Sequence, residues 1–143
     1  MPVQAFERLR LARIRSPMAT ARRFPPQVVR ALDATKVLRI RAGSAPHRFI
    51  GIWVVVAGGR VFVRSWELAA TGWYHTLRRE AAGEIQVGTR TLAISARAVR
   101  SESVLRRVDE AYAAKYSTPG SVKYVRGLRR GRRRASTTEL LPA

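Results

Sequence analysis

Polar and apolar positions separate most sharply between residues 48 and 66, RFIGIWVVVAGGRVFVRSW. Phe49 to Ala57 holds no polar side chain, Gly58-Gly59 follows, and Arg60 to Trp66 then alternates. Two glycines between runs rich in Val, Ile, Phe and Trp predict a β-hairpin, because a two-residue turn of the right hand needs positive φ. The first arm is apolar on both faces and is expected centrally in a sheet, covered on each side. In the second arm Val61, Val63 and Ser65 point one way, and Arg60, Phe62, Arg64 and Trp66 the other. That face of arginines and rings leaves the hairpin where a flat, anionic ligand is expected.

The same reading places the other elements. Phe24-Pro25-Pro26 opens a short helix, since proline is tolerated in a first turn; Val28, Val29 and Leu32 form its apolar side and 33–35 close it. Residues 36–42 alternate as a partly exposed strand, with Leu38 and Ile40 on one face. A loop spans 43–47, another 67–72, and a helix runs from Trp73 to Arg79, stopped by Ala82-Gly83. A second hairpin joins 84–88 to 91–99 across Thr89-Arg90, with Leu92, Ile94, Ala96 and Ala98 buried. Ser101 caps a helix reaching about Tyr116, with Val104, Leu105, Val108, Ala111 and Tyr112 at helical spacing. Pro119-Gly120 breaks the chain, 121–128 is a further helical turn, Arg129 to Arg134 (RRGRRR) a solvated loop, and 135–141 a closing strand. Strands with helical inserts, antiparallel throughout, give an α+β fold, most simply a small barrel.

Residues 24–143 form that single domain. Residues 1–23 carry six arginines against Glu7 and are expected to be a poorly ordered basic extension. Phe6, Leu9 and Ile14 allow a short amphipathic helix there, organellar transit peptides share its look, and translation from Met18 is an alternative.

Charge changes the picture next. The 143 residues hold 28 basic and 9 acidic side chains, a net charge of +19. Such a surplus favours polyanions: nucleic acid, phosphorylated cofactors or acidic membranes. Lysine occurs only at 36, 115 and 123, so GC-rich coding accounts for part of the arginine, though not for the scarcity of acids. With no cysteine, disulfides, thiolate nucleophiles and thiolate zinc sites are excluded, and a cytoplasmic setting is expected. No apolar stretch reaches the roughly 20 residues of a membrane span, and no secretory signal is visible.

The candidate chemistry is sparse. Histidine side chains can move a proton near neutral pH, which makes His75 in GWYHTL a candidate, although a lone histidine on a short helix is more often structural. His47 lies far from it in sequence, and with so few acids no metal site is expected. Arg48, Arg60 and Arg64 offer paired donors for a phosphate, or reach past the sheet edge to water. Tyr112, Tyr116 and Tyr124 can line a pocket or donate a proton, or simply pack. Gly58-Gly59 lacks the spacing of a phosphate-cradling loop. The RGLRRGRRR run beside tyrosines can hold a nucleic-acid backbone by charge alone.

The stretch GGRVFVRSW…GWYHTLRREAAGEIQVGTRTLAISARAV resembles the deazaflavin (F420)-dependent nitroreductases. Their Trp-Tyr-His-(Asn)-Leu run corresponds to Trp73, Tyr74, His75, Thr76 and Leu77, followed by a hairpin, a helix and a final strand ending at Leu140-Leu141-Pro142. The chain is also similar to a bacterial family of unknown function that shares the HRF-x-x-IW-V-V hairpin and the RSW…GWY run. These resemblances imply a split β-barrel of the FMN-binding type over residues 24–143, often a homodimer, with FMN or F420 against the barrel. They align Arg48 with the last arginine of a Gly-Arg-Lys-Ser-Gly-x-x-Arg phosphate motif and Ser65 with a serine near the ring. Trp73, Tyr74 and His75 would border the site. Gly43-Ser-Ala-Pro-His47 replaces the core of that motif, and Trp66-Glu67-Leu68-Ala69 replaces a Gly-Gly loop.

The expected function is therefore a flavin- or deazaflavin-binding oxidoreductase. Arg48, Arg60 and Arg64 would hold the anionic part, Ser65 would lie near the ring, Trp66 and Trp73 wall it, and His75 or Tyr74 donate the proton. The alternatives are a non-enzymatic protein binding nucleic acid through its arginine-rich ends, and a barrel that has lost its cofactor.

Overall fold

The computed structural model describes residues 22–143, so the readings placed on 1–21 lie outside the described residues. The elements run α1 (Pro26–Ala34), β1 (Leu38–Ala42), β2 (Ile50–Ile52), β3 (Val55–Ala57), β4 (Arg60–Val63), α2 (Trp73–Glu80), β5 (Ala82–Val87), β6 (Arg90–Ala98), α3 (Glu102–Lys115), α4 (Val122–Leu128), α5 (Gly131–Ala135) and β7 (Thr138–Pro142). The strands form one seven-stranded sheet in the order β2-β1-β5-β6-β7-β4-β3. Every neighbouring pair is antiparallel.

The apolar run of residues 49–57 is not one central strand. It splits into β2 and β3, which are the two edges of the sheet. Only Trp53 and Val54 separate them, so three Cα steps, about 11 Å, bound the distance between the edges. A seven-stranded sheet can meet that bound only by curling until its edges face each other. The result is a split β-barrel. Cover on both sides, by contrast, is found: Val54 belongs to the inner core and Val55 to the outer one.

The inner core holds Leu38, Ile40, Val61, Val63, Ile85, Ile94 and Leu140, plugged by Val28 and Leu32 of α1 and by Phe24. Pro25 and Pro26 start α1 without a side-chain cap, and Val28 and Leu32, four apart, present one buried stripe. The outer core lies under α3, where Val108, Tyr112 and Tyr116 cover Val55, Phe62 and Val99, with Val125 and Leu128 of α4 beside them. Ser101 caps α3 by accepting the Val104 N–H, with Glu102 in the first turn and Lys115 in the last, each favourable to the helix dipole.

Three boundaries differ from the sequence reading. Ala81, not Ala82-Gly83, stops α2, in left-handed geometry at φ 55°. Ala82 and Gly83 instead begin β5, where a Cβ on Gly83 would lie 2.5 Å from the Arg41 carbonyl oxygen of the adjacent strand. The second hairpin turns at Gly88-Thr89, with Gly88 at φ 62°. Ile94 is buried and Leu92 and Ala96 pack on the inner core, but Ala98 is exposed. The arginine run is not a plain loop: residues 131–135 form α5. No helix of the described residues is long and apolar enough to cross a membrane.

Candidate functional site

Where the chain leaves the barrel at its split, aromatic residues gather. Trp53 lies in the crossing between β2 and β3, Trp66 follows β4, Trp73 opens α2, and Tyr124 comes from α4. With Ile50, Gly51, Ile52, Glu67 and Leu128 they line a cleft of about 440 Å³. Trp53 stacks on Tyr116 with centroids 4.0 Å apart and planes 7° apart. Tyr124 meets Trp53 and Trp66 edge-on, at 6.4 and 5.0 Å. Beyond Trp66 the Arg133 guanidinium covers the ring at 3.8 Å and donates from Nε to the Trp66 carbonyl at 2.8 Å. Trp66 seats on Gly127, where a Cβ would come within 2.5 Å of its Cζ3.

A second hollow of about 370 Å³ adjoins the first, sharing Ile50 and Trp73. His47, Arg48, Ile40, Ala42, Thr71, Gly72 and Thr76 complete its walls. Arg48 is exposed and makes no ion pair or side-chain hydrogen bond among the described residues. The two hollows together offer a flat apolar slot next to a guanidinium that is unpaired among the described residues.

The three arginines expected to converge do not. Arg48 borders the second hollow. Arg60 sits by a small cavity with Arg23, Phe62 and Arg107. It forms a forked pair with Glu139, Nε to Oε2 at 3.0 Å and Nη2 to Oε1 at 2.9 Å. Arg97 adds a third donor to that carboxylate at 2.7 Å. Burial raises the Glu139 carboxyl, but these donors outweigh it and hold it below the ordinary range.

Arg64 lies under the floor of the aromatic cleft with its side chain fully buried. Its guanidinium donates to Asp109 Oδ1 at 2.6 Å, to the Leu128 and Leu105 carbonyls at 2.9 and 3.0 Å, and to Thr137 Oγ1 at 2.7 Å. Burial pushes its pKa down and the Asp109 hydrogen bond opposes that. The face of β4 carrying Arg60, Phe62 and Arg64 is thus closed by α3, not open to a ligand, because Phe62 belongs to the core beneath that helix. Ser65 is sealed as well: its N–H donates to Ser136 Oγ at 2.8 Å and its hydroxyl to the Glu67 carbonyl.

His75 and Tyr74 stand in a different hollow, of about 330 Å³, with Leu68, Arg78, Arg79, Arg132 and Ala135. His75 Nε2 lies 3.2 Å from the Leu68 carbonyl, and the Tyr74 hydroxyl accepts from Arg78 at 2.9 Å. Of the expected residues, then, Trp66 and Trp73 share one cleft above Arg64, and Arg48 joins them through Trp73. The sequence reading singled out Tyr124 as a pocket candidate, but it missed Trp53, Leu128 and Gly127. Trp53 was hidden inside an apolar run, and Gly127 inside a helical turn.

No curated protein matches the chain. A conserved hypothetical protein, Rv2991, from Mycobacterium tuberculosis has a similar structure, at TM-score 0.51 and 14% identity, over 82% of this chain and 78% of that one. A FAD-binding protein from Mesorhizobium loti is similar at TM-score 0.52 and 12% identity, over 82% of this chain and 88% of that one. At these identities the likeness shows the fold, an α+β split barrel. Residues 27–140 match the family described as an uncharacterized protein conserved in bacteria, DUF2255, and the chain belongs to that family.

Proposed function

We propose that this protein binds a flavin or deazaflavin and serves as an oxidoreductase through it. The ring would lie in the cleft of Trp53, Trp66, Trp73 and Tyr124, and the anionic part beside Arg48 and His47. The cleft itself carries the reading: three tryptophans and a tyrosine wall a slot of about 440 Å³, within the size range of small-ligand sites. The donor set suits such a guest, with stacking surface in one hollow and, in the next, the exposed Arg48 guanidinium. A FAD-binding protein of the same fold adds weight. Once bound, the cofactor supplies the hydride chemistry. The chain's own part is to orient the ring between fixed aromatic walls, to exclude water there, and to neutralise the anion. Glu67 and Tyr124 border the cleft itself, whereas His75 and Tyr74 line a separate hollow that shares no residue with it.

Titration with riboflavin, FMN, FAD and F420, followed by quenching of tryptophan emission, tests this. Saturable quenching by at least one of them is expected, weakened about tenfold or more by Trp73→Ala. Arg48→Ala should weaken FMN by about tenfold while leaving riboflavin unchanged, since only FMN carries the phosphate. No quenching by any of the four at millimolar concentration would overturn the proposal.

A further inference from the structure

The arginine run does not stand alone. The hollow beside His75 continues, through the shared Leu68 and Arg132, into one of about 550 Å³ lined by Lys123, Gly127, Arg130, Gly131 and Arg133. Arg78 and Arg79 of α2 form one wall of this trough; α4, α5 and the link between them form the other. Neither hollow has a carboxylate in its lining. Four of the eight acids of the described residues are paired with other arginines: Glu139 with Arg60 and Arg97, Asp109 with Arg64 and Arg134, Glu102 with Arg134 and Arg106, Glu84 with Arg41. None of the trough's arginines meets a carboxylate among the described residues.

We propose that this trough binds the phosphodiester backbone of single-stranded nucleic acid, a site separate from the aromatic cleft. The cations are spread along two facing walls instead of converging on one point, which suits a chain of repeated phosphates over a single phosphate group. Five of the six are arginines, whose planar forks match phosphate oxygens in pairs. Hollows of about 330 and 550 Å³ between helices suit a slim strand over a duplex. Tyr74, His75 and Leu68 supply partly apolar surface along its floor for sugars and bases.

The test is fluorescence anisotropy of labelled oligouridylate and oligothymidylate with the full chain across a salt series. Affinity should fall as salt rises, with a slope of about 0.7 per phosphate contact. The double variant Arg130→Ala/Arg132→Ala removes two exposed cations that carry no ion pair among the described residues. It should weaken binding about tenfold or more and reduce the slope by roughly 1.4. Arg30→Ala/Arg90→Ala, exposed but outside the trough, should leave both unchanged. Equal losses from the two pairs would reduce the effect to net charge and overturn the assignment. So would binding of duplex DNA or polyglutamate as tight as that of the single strand, or no binding at low salt. Neither Arg130 nor Arg132 borders the aromatic cleft, so the flavin titration stands or falls separately.

Discussion

The hydroxyl of Tyr116 accepts the backbone N–H of Val54 at 3.0 Å, at the point where the chain crosses from one edge of the sheet to the other. The same hydroxyl faces the carbonyls of Lys36 and Val54 at 2.7 and 3.1 Å. Lys115 donates to the Val54 and Leu32 carbonyls at 2.8 and 3.0 Å. The end of α3 therefore satisfies backbone groups that no strand pairs. Buried polar groups must find such partners, and this helix end supplies them at the split of the barrel.

Replacing Tyr116 by Phe tests that role. Burial pushes the phenol up to about 12, so it stays protonated and able both to give and to accept near neutral pH. The variant keeps the ring stacked on Trp53 but orphans the Val54 N–H, at a cost of about 1–3 kcal/mol. Urea unfolding should show a lower midpoint with an unchanged slope. An unchanged midpoint would mean that water replaces the hydroxyl and that the crossing needs no support from α3.

Arg64 and Asp109 make a buried pair with unequal partners. Asp109 also receives Arg134, Nε to Oδ2 at 3.0 Å, whereas Arg64 has no second carboxylate. Asp109→Ala should thus cost about 3–5 kcal/mol by leaving the guanidinium buried without its counter-charge. Arg64→Met should cost less, because Asp109 keeps Arg134. Chemical denaturation of the two variants checks the order, and a reversed order would refute the asymmetry.

Gly127 and Trp66 link the aromatic cleft to α4. Alanine at 127 favours the helix by about 1 kcal/mol over glycine but places a Cβ 2.5 Å from the Trp66 ring. Backbone φ at Gly127 is not positive, so the steric contact is what counts. Trp66 is 40% exposed, so its ring can yield toward solvent at the expense of its contacts with Tyr124 and Arg133. Gly127→Ala should therefore change stability by less than about 1 kcal/mol while shifting tryptophan emission and weakening flavin binding. Unaltered emission and affinity would show that Trp66 does not wall the slot.

How far these arrangements could be read in advance depended on their range along the chain. Leu38 and Ile40 alternated visibly, Gly58-Gly59 announced its turn, and Ser101 its cap, because each is local. The break at Trp53-Val54 was not legible: a continuous apolar run carries no mark of a strand that changes neighbours. Arg64 looked like an open-face residue because its partners, Asp109 and Thr137, lie 45 and 73 positions away. A face covered by a distant helix reads in sequence like a face turned to solvent. The hairpin and the WYH run mark Trp66 and Trp73 as candidates; that they share a cleft with Trp53 and Tyr124 follows only from the packing of α3 and α4.

Glu139 provides the pH test. Its burial would raise the carboxyl, yet Arg60 and Arg97 pull it below the ordinary value of 4.5. The folded value is then lower than the unfolded one, so the group contributes stability above pH 4.5 and loses it as pH falls through the folded value. Glu139→Gln keeps an oxygen for one arginine but gives up the charge, at about 1–3 kcal/mol near neutrality. Melting temperatures of the two proteins should differ most at pH 7 and converge as pH drops below 4.5, because protonation makes the native side chain neutral too. Some acid sensitivity should persist in the variant, since Glu102, held low by Arg134, titrates by the same logic. A gap that stays constant down to pH 3 would mean that the two arginines recognise the shape of the side chain at 139 and not its charge.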